Sequence, residues 1–202
     1  MNPLNSVKGA LTTGIVLALL VAVGLAAWAG NGVELHGALL GRWLHILSGV
    51  MWIGLLWYFN VVQTPGLAMA AADKGGPGGA GIAKYIAPRA LWWFRWAAVA
   101  TWVTGAYYLL FGYGSLDTIQ KAFELQPGFR TIGTGAWLGT IMLLNVWGFI
   151  WPNQKKILGI VPATDEEKAA ARKTAGMVSR INFVLSIPML MCMIGPSHGL
   201  LF

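Results

Sequence analysis

Three histidines, His36, His45 and His198, are the only side chains of this sequence able to offer imidazole nitrogens to a metal. Imidazoles from two facing helices are a common way to hold a b-type haem inside a helix bundle, one axial nitrogen from each. Such a haem needs no covalent attachment motif. His45 and His198 are the candidates, because each lies within an apolar run, where an ionisable residue marks a functional site by default. Arg42 and Trp43 sit just before His45 and Trp52 two turns after it. An arginine there can pair with a haem propionate. The plainer reading is that His45 hydrogen-bonds a neighbouring helix and His198 sits among lipid headgroups.

Copper is the rival chemistry. The run Pro188-Met189-Leu190-Met191-Cys192-Met193 is rich in soft sulfur, and His198 follows it. Thioether and thiolate ligands select Cu(I). Met189 and Met193 are one helical turn apart and share a face, whereas Met191 points elsewhere. Methionine is equally a filler of apolar cores. A second polar set, Asn60, Gln63, Arg95, Asn145, Arg180 and Asn182, gathers toward the opposite side of the spans. Amides bridging helices are one reading, since an unpaired buried amide is costly. A cavity for a polar ligand or a quinone headgroup is the other.

These residues are positioned by five apolar runs, near 10–29, 41–63, 90–113, 131–151 and 177–199. Each is close to the roughly 20 residues that cross a bilayer core as a helix, and helix is the form in which a lipid-exposed backbone satisfies its own hydrogen bonds. The first run lacks an obvious A-x-A-like cleavage site and reads as a retained span rather than a leader. Asn31-Gly32 follows the first run. DKGGPGGAG over 73–81 reads as a flexible loop, Gly112, Gly114 and Ser115 end the third run, and Pro152 ends the fourth. Thr164 or Asp165 caps a short surface helix over 164–174. Gly135 and Gly139 form a GxxxG that lets a neighbouring helix approach closely.

Charge sets the direction. Lys8, Lys74, Lys84, Arg89, Arg95, Lys155, Lys156, Lys168, Arg172, Lys173 and Arg180 fall on one side, and Arg42, Lys121 and Arg130 on the other. The richer side belongs in the cytoplasm. The N-terminus is then cytoplasmic and Phe202 periplasmic, in a bacterial inner membrane. Span two then runs inward and span five outward, which places His45 and His198 at similar depth near the outer face. His36 falls in the outer loop. Trp28, Trp43, Trp92, Trp93, Trp96 and Trp151 lie near span ends, as an interfacial belt requires.

The fold class is therefore an all-α integral membrane bundle of about five transmembrane helices in a single domain. Only 10% of the residues are charged and 56% are hydrophobic, against roughly 25% charged in a soluble domain. The net charge of +7 sits in short loops and points to anionic lipid rather than nucleic acid. The single cysteine, Cys192, excludes an internal disulfide, a CxxC metal site and a CxxCH haem attachment. No Walker A, GxSxG or HExxH is present, and no catalytic residue is assigned. Glu34, Asp117 and Glu124 lie in loops, so the spans hold no carboxylate relay for a proton or cation transporter.

Several strings resemble a known family: WLHILSG (43–49) with MWIG (51–54), YFNVVQ (58–63) with Pro65, PRALWWFRW (88–96), WVTG (102–105), NVW (145–147), IWPNQKK (150–156), RIN (180–182) with SIPM (186–189), and Ser197-His198. Together they resemble the membrane domain of the bacterial urate hydroxylase (urate oxidase N-terminal) family, over spans two to five. Fuller members of that family join such a domain to a c-type cytochrome domain and are proposed to oxidise urate. With no CxxCH here, the resemblance implies a membrane electron-transfer or accessory subunit. It would work with a separate periplasmic c-type cytochrome or a larger membrane complex, and act as an oxidoreductase only with that partner. A cofactor-free structural subunit of a respiratory or photosynthetic complex and a copper-handling protein are the alternatives.

Overall fold

The computed structural model describes residues 2–30, 36–113, 115 and 117–199. Among them all regular structure is helical. Expectations for Asn31, Gly32, Glu34, Gly114 and Phe202 fall outside the described residues.

The chain divides into two units, Met1–His36 and Gly37–Phe202. The first holds helix α1, Val7–Trp28, started by the Ser6 hydroxyl accepting from the Gly9 N–H at 3.0 Å. Its apolar side chains cover the whole circumference, the pattern of a helix solvated by lipid. His36 belongs to this unit.

The second unit has four long helices and one short one. They are α2, Gly37–Ala72; α3, Ala87–Gly112; α4, Asp117–Phe123; α5, Arg130–Ile157; and α6, Asp165–His198. α2 packs chiefly on α3, and α5 on α6. The two pairs close on a core of Trp52, Leu56, Phe59, Phe94, Met142, Val146 and Ile150. α2 and α6 meet where the Trp57 indole donates to Ser186 Oγ at 3.2 Å, and where Asn60 donates to Ser179 Oγ at 3.0 Å.

Among the described residues, four helices, α1, α2, α5 and α6, are long and apolar enough to cross a membrane. The third expected span does form a helix, α3, of 26 residues. Its tryptophans, tyrosines and the arginines Arg89 and Arg95 lower its apolarity, so it is not among the four.

Two expected breaks do not occur. Pro152 does not end α5, which runs on to Ile157. A proline inside a helix lacks the N–H that bonds the carbonyl four residues back, and its ring crowds that carbonyl. Here a π-turn over Val146–Ile150 immediately precedes it and widens the helix. The same device stands before Pro65, with a π-turn over Tyr58–Gln63, and before Pro88, with one over Ile82–Ile86. Nor is 164–174 a separate surface helix. Thr164 caps it as expected, in a reciprocal box with Glu167, but the helix continues through Gly176 into the last span. Ala169, Ala170, Ala171 and Ala175 favour helix strongly enough to carry it through.

Loop acids are partly relocated too. Asp117 opens α4, pairing with Lys121 at 2.8 Å and accepting from the Ser115 hydroxyl. Glu124 follows the end of α4 and accepts from Gln120 and Gln126.

Candidate cofactor cavity

Away from the contacts at Trp57 and Asn60, the α2–α3 and α5–α6 pairs border a partly open cavity of about 570 Å³. That lies within the roughly 300–1,000 Å³ of small-molecule and cofactor sites. Its wall is mostly apolar, with Trp52, Ile53, Met189 and Leu190 at the core end. Arg42, Tyr108, Tyr113 and Ser197 supply polar groups toward the other end, and Phe123 of α4 also contributes.

His45 from α2 and His198 from α6 both line this cavity. The two residues are separated by almost the whole second unit in sequence, so their convergence is a product of the fold. Arg42 and Trp52 line it as well, whereas Trp43 does not. Trp43 is two residues from His45, about 200° round the helix, and its ring is exposed among the lipid-facing side chains. Arg130, expected on the same side as Arg42, is exposed at the start of α5 and is not part of the wall.

The imidazole of His45 is held firmly. Its Nδ1 lies 2.8 Å from the backbone carbonyl oxygen of Thr101 on α3. A carbonyl only accepts, so Nδ1 carries the proton and the neutral ring keeps a bare Nε2, the nitrogen able to bind a metal. A backbone carbonyl behind the ring is the usual partner of a metal-ligating histidine. His45 therefore also meets the plainer expectation of bonding a neighbouring helix; the two roles use different nitrogens.

Space is provided by small residues. Gly49, Gly54, Gly105, Ala106, Ala136 and Gly139 all border the cavity. At Gly54 and Gly139 an added Cβ would meet nothing within 4 Å. Gly135, one turn from Gly139, instead lets α6 come close: a Cβ there would stand 3.1 Å from Cβ of Cys192. The GxxxG thus does two things, helix approach at one glycine and open volume at the other.

Of the sulfur run, Met189 and Met193 line the cavity with His198, while Cys192 is buried off it and Met191 is partly exposed. Among the described residues no group of three or more His, Cys, Asp or Glu side chains forms a metal cage.

The second polar set does not converge on one site. Asn145 donates to Asn182, and Asn182 to the Met142 carbonyl, tying α5 to α6. Asn60 bonds Ser179 and the Leu56 carbonyl. The Arg95 guanidinium lies 3.5 Å over the Trp151 ring. Arg180 is exposed. Among the described residues the Gln63 carbonyl oxygen and Arg95 Nε are buried without hydrogen-bond partners. Thr101 and Gly105 were not singled out by sequence, because a backbone carbonyl and a missing side chain leave no residue-type signal.

Among the described residues, four helices long and apolar enough to cross a bilayer fit a multi-pass membrane protein, and a mostly apolar cavity lies between the helix pairs of its second unit. Residues 115–202, which contain α4, α5 and α6, match the family model described as urate oxidase N-terminal. The expected resemblance is thereby supported over this part of the chain. Comparisons with curated proteins and with solved structures give no match.

Proposed function

We propose that this protein is a urate-hydroxylase-like membrane electron-transfer subunit. Its cavity holds a b-type haem between His45 and His198. A haem bound there supplies a one-electron Fe(III)/Fe(II) couple. The observation that carries the reading is the pair of histidines on opposite helices of one cavity, one of them fixed with its Nε2 bare. The glycine-lined space suits a flat ligand, and Arg42 supplies a cation for a carboxylate-bearing edge.

The chain crosses a bacterial inner membrane five times, with the N-terminus in the cytoplasm. Arg42, Lys121 and Arg130 are then the outer basic residues. The cavity lies at their end, so electrons pass outward to a periplasmic c-type cytochrome. Oxidation of a urate-like substrate belongs to the assembly with that partner.

The test is the optical spectrum of the full chain, expressed with ample haem and purified in mild detergent, oxidised and then dithionite-reduced. A Soret band with sharp reduced α and β bands is expected, lost in His45→Ala and in His198→Ala. A featureless wild-type spectrum overturns the reading. Copper has its own support, Met189 and Met193 on the same wall as His198. Stoichiometric copper without a Soret band would establish it instead. Neither would leave a scaffold subunit.

A further inference from the structure

We propose that Gly105 is the positioning residue for His45: the absence of its side chain opens a notch on α3 through which the imidazole reaches the Thr101 carbonyl. This deepens the reading of the cavity as a histidine-ligated site and rests on it for its use, though not for its test.

The argument is geometric. In an α-helix the carbonyl of residue i points along the axis toward residue i+4. For Thr101 that residue is Gly105. A side chain there flanks the oxygen and shields it from a neighbouring helix. A Cβ built on Gly105 would lie 2.8 Å from Cε1 and 2.9 Å from Nδ1 of His45. Both are closer than real Cβ contacts. The imidazole must shift to clear the new atom, and the cavity it lines gives it room to do so, at the expense of the 2.8 Å hydrogen bond. Thr101 itself is buried, its hydroxyl donating to the Ala97 carbonyl at 2.7 Å, and its carbonyl accepts from the Thr104 hydroxyl at 3.1 Å as well as facing His45.

The notch has a chemical output. A ring that reaches the Thr101 carbonyl is held as the Nδ1–H tautomer, with Nε2 bare. A ring pushed away loses that selection and takes either tautomer. Gly105 therefore decides which nitrogen is available in the cavity.

The experiment is ¹⁵N NMR of histidine-labelled full chain in detergent, without added haem or metal, at alkaline pH where imidazole is neutral. The His45 signals are assigned by their loss in His45→Ala. Wild type is expected to show a protonated Nδ1 and a bare Nε2. Gly105→Ala is expected to show mixed tautomers or the Nε2–H form. Gly49→Ala is the control. Its Cβ would make only an ordinary 3.8 Å contact with Thr101 Cγ2 on the same helix pair, and it should keep the wild-type signals.

Two results overturn the proposal: a wild-type His45 in the Nε2–H form, or Gly105→Ala retaining the pure Nδ1–H form. The first needs no variant beyond the assignment control, so a misfolded Gly105→Ala does not protect the idea. Because no haem is present, absence of a Soret band in the purified protein leaves this result standing.

Discussion

The side-chain amide of Asn145 donates to that of Asn182 at 2.8 Å, joining α5 to α6 at the level of the core. Asn182 is fully buried and passes the bond on to the Met142 carbonyl at 3.0 Å. Asn182 thus has two partners and Asn145 one in this chain of bonds. Replacing Asn182 by Ala leaves the Asn145 amide without its partner in an apolar interior and takes one of two donors from the Met142 carbonyl, which keeps the Val146 N–H. The expected loss is about 1–2 kcal/mol of stability. Asn145→Ala, which spares the Met142 bond, should cost less. Unfolding by a denaturing detergent, followed by circular dichroism, would order the two variants. Equal stability of Asn182→Ala and wild type would show that the amide is not bridging the helices.

His198→Met tests the second ligand separately from the first. If His198 is axial, the variant keeps a Soret band. His/Met ligation then raises the midpoint potential relative to bis-histidine. The expected rise exceeds about 59 mV, a tenfold change in a one-electron equilibrium. A spectroelectrochemical titration reads it. An unchanged potential with an unchanged spectrum would remove His198 from the coordination sphere.

The short helix α4, one of whose residues lines the cavity, should loosen in acid. Seven residues are too few to hold a helix alone, so α4 depends on burial of Thr118 and Ala122 and on the Asp117–Lys121 pair. The hydrogen bond from Lys121 holds the Asp117 carboxyl below the usual aspartate range, helped by its own backbone N–H. A carboxyl depressed by folding stabilises above its unfolded pKa and stops doing so as pH falls through the folded value. Protection of the amides of residues 118–122, corrected for intrinsic exchange, should therefore fall below about pH 4. Asp117→Asn should abolish that extra pH dependence while loosening α4 at neutral pH. Identical profiles for the variant and wild type would show that the pair contributes nothing.

Four of the five expected spans were legible because apolar length is a strong signal, and depth alone suggested bringing together His45 and His198, which both line one cavity. Direction along the bundle was enough to bring them to one end; the cavity between them was not readable, since it depends on how α2 and α6 spread beyond Trp57. Pro152 was misread for a local reason. A proline near the end of an apolar run looks like a terminus, and the widened turn before it carries no residue-type signature. The 164–174 segment was misread for the opposite reason, charge being taken as a sign of separation when backbone propensity favoured continuity. Trp43 was grouped with His45 by closeness in sequence, which helical geometry does not honour at a spacing of two.

Helix length has a consequence at the end away from the histidines. At about 1.5 Å per residue, the 36 residues of α2 and the 34 of α6 would reach about 54 and 51 Å, against roughly 30 Å of hydrocarbon. Set upright in such a slab, each helix would overhang it by some 20 Å. The stretch of α6 starting at Asp165 packs on the last turns of α5, where Lys156 pairs with Glu167 at 4.0 Å. Lys168, Arg172 and Lys173 therefore ride on a helix continuous with the last apolar stretch, not on a slack loop. Their separations along the axis are set by the helical rise.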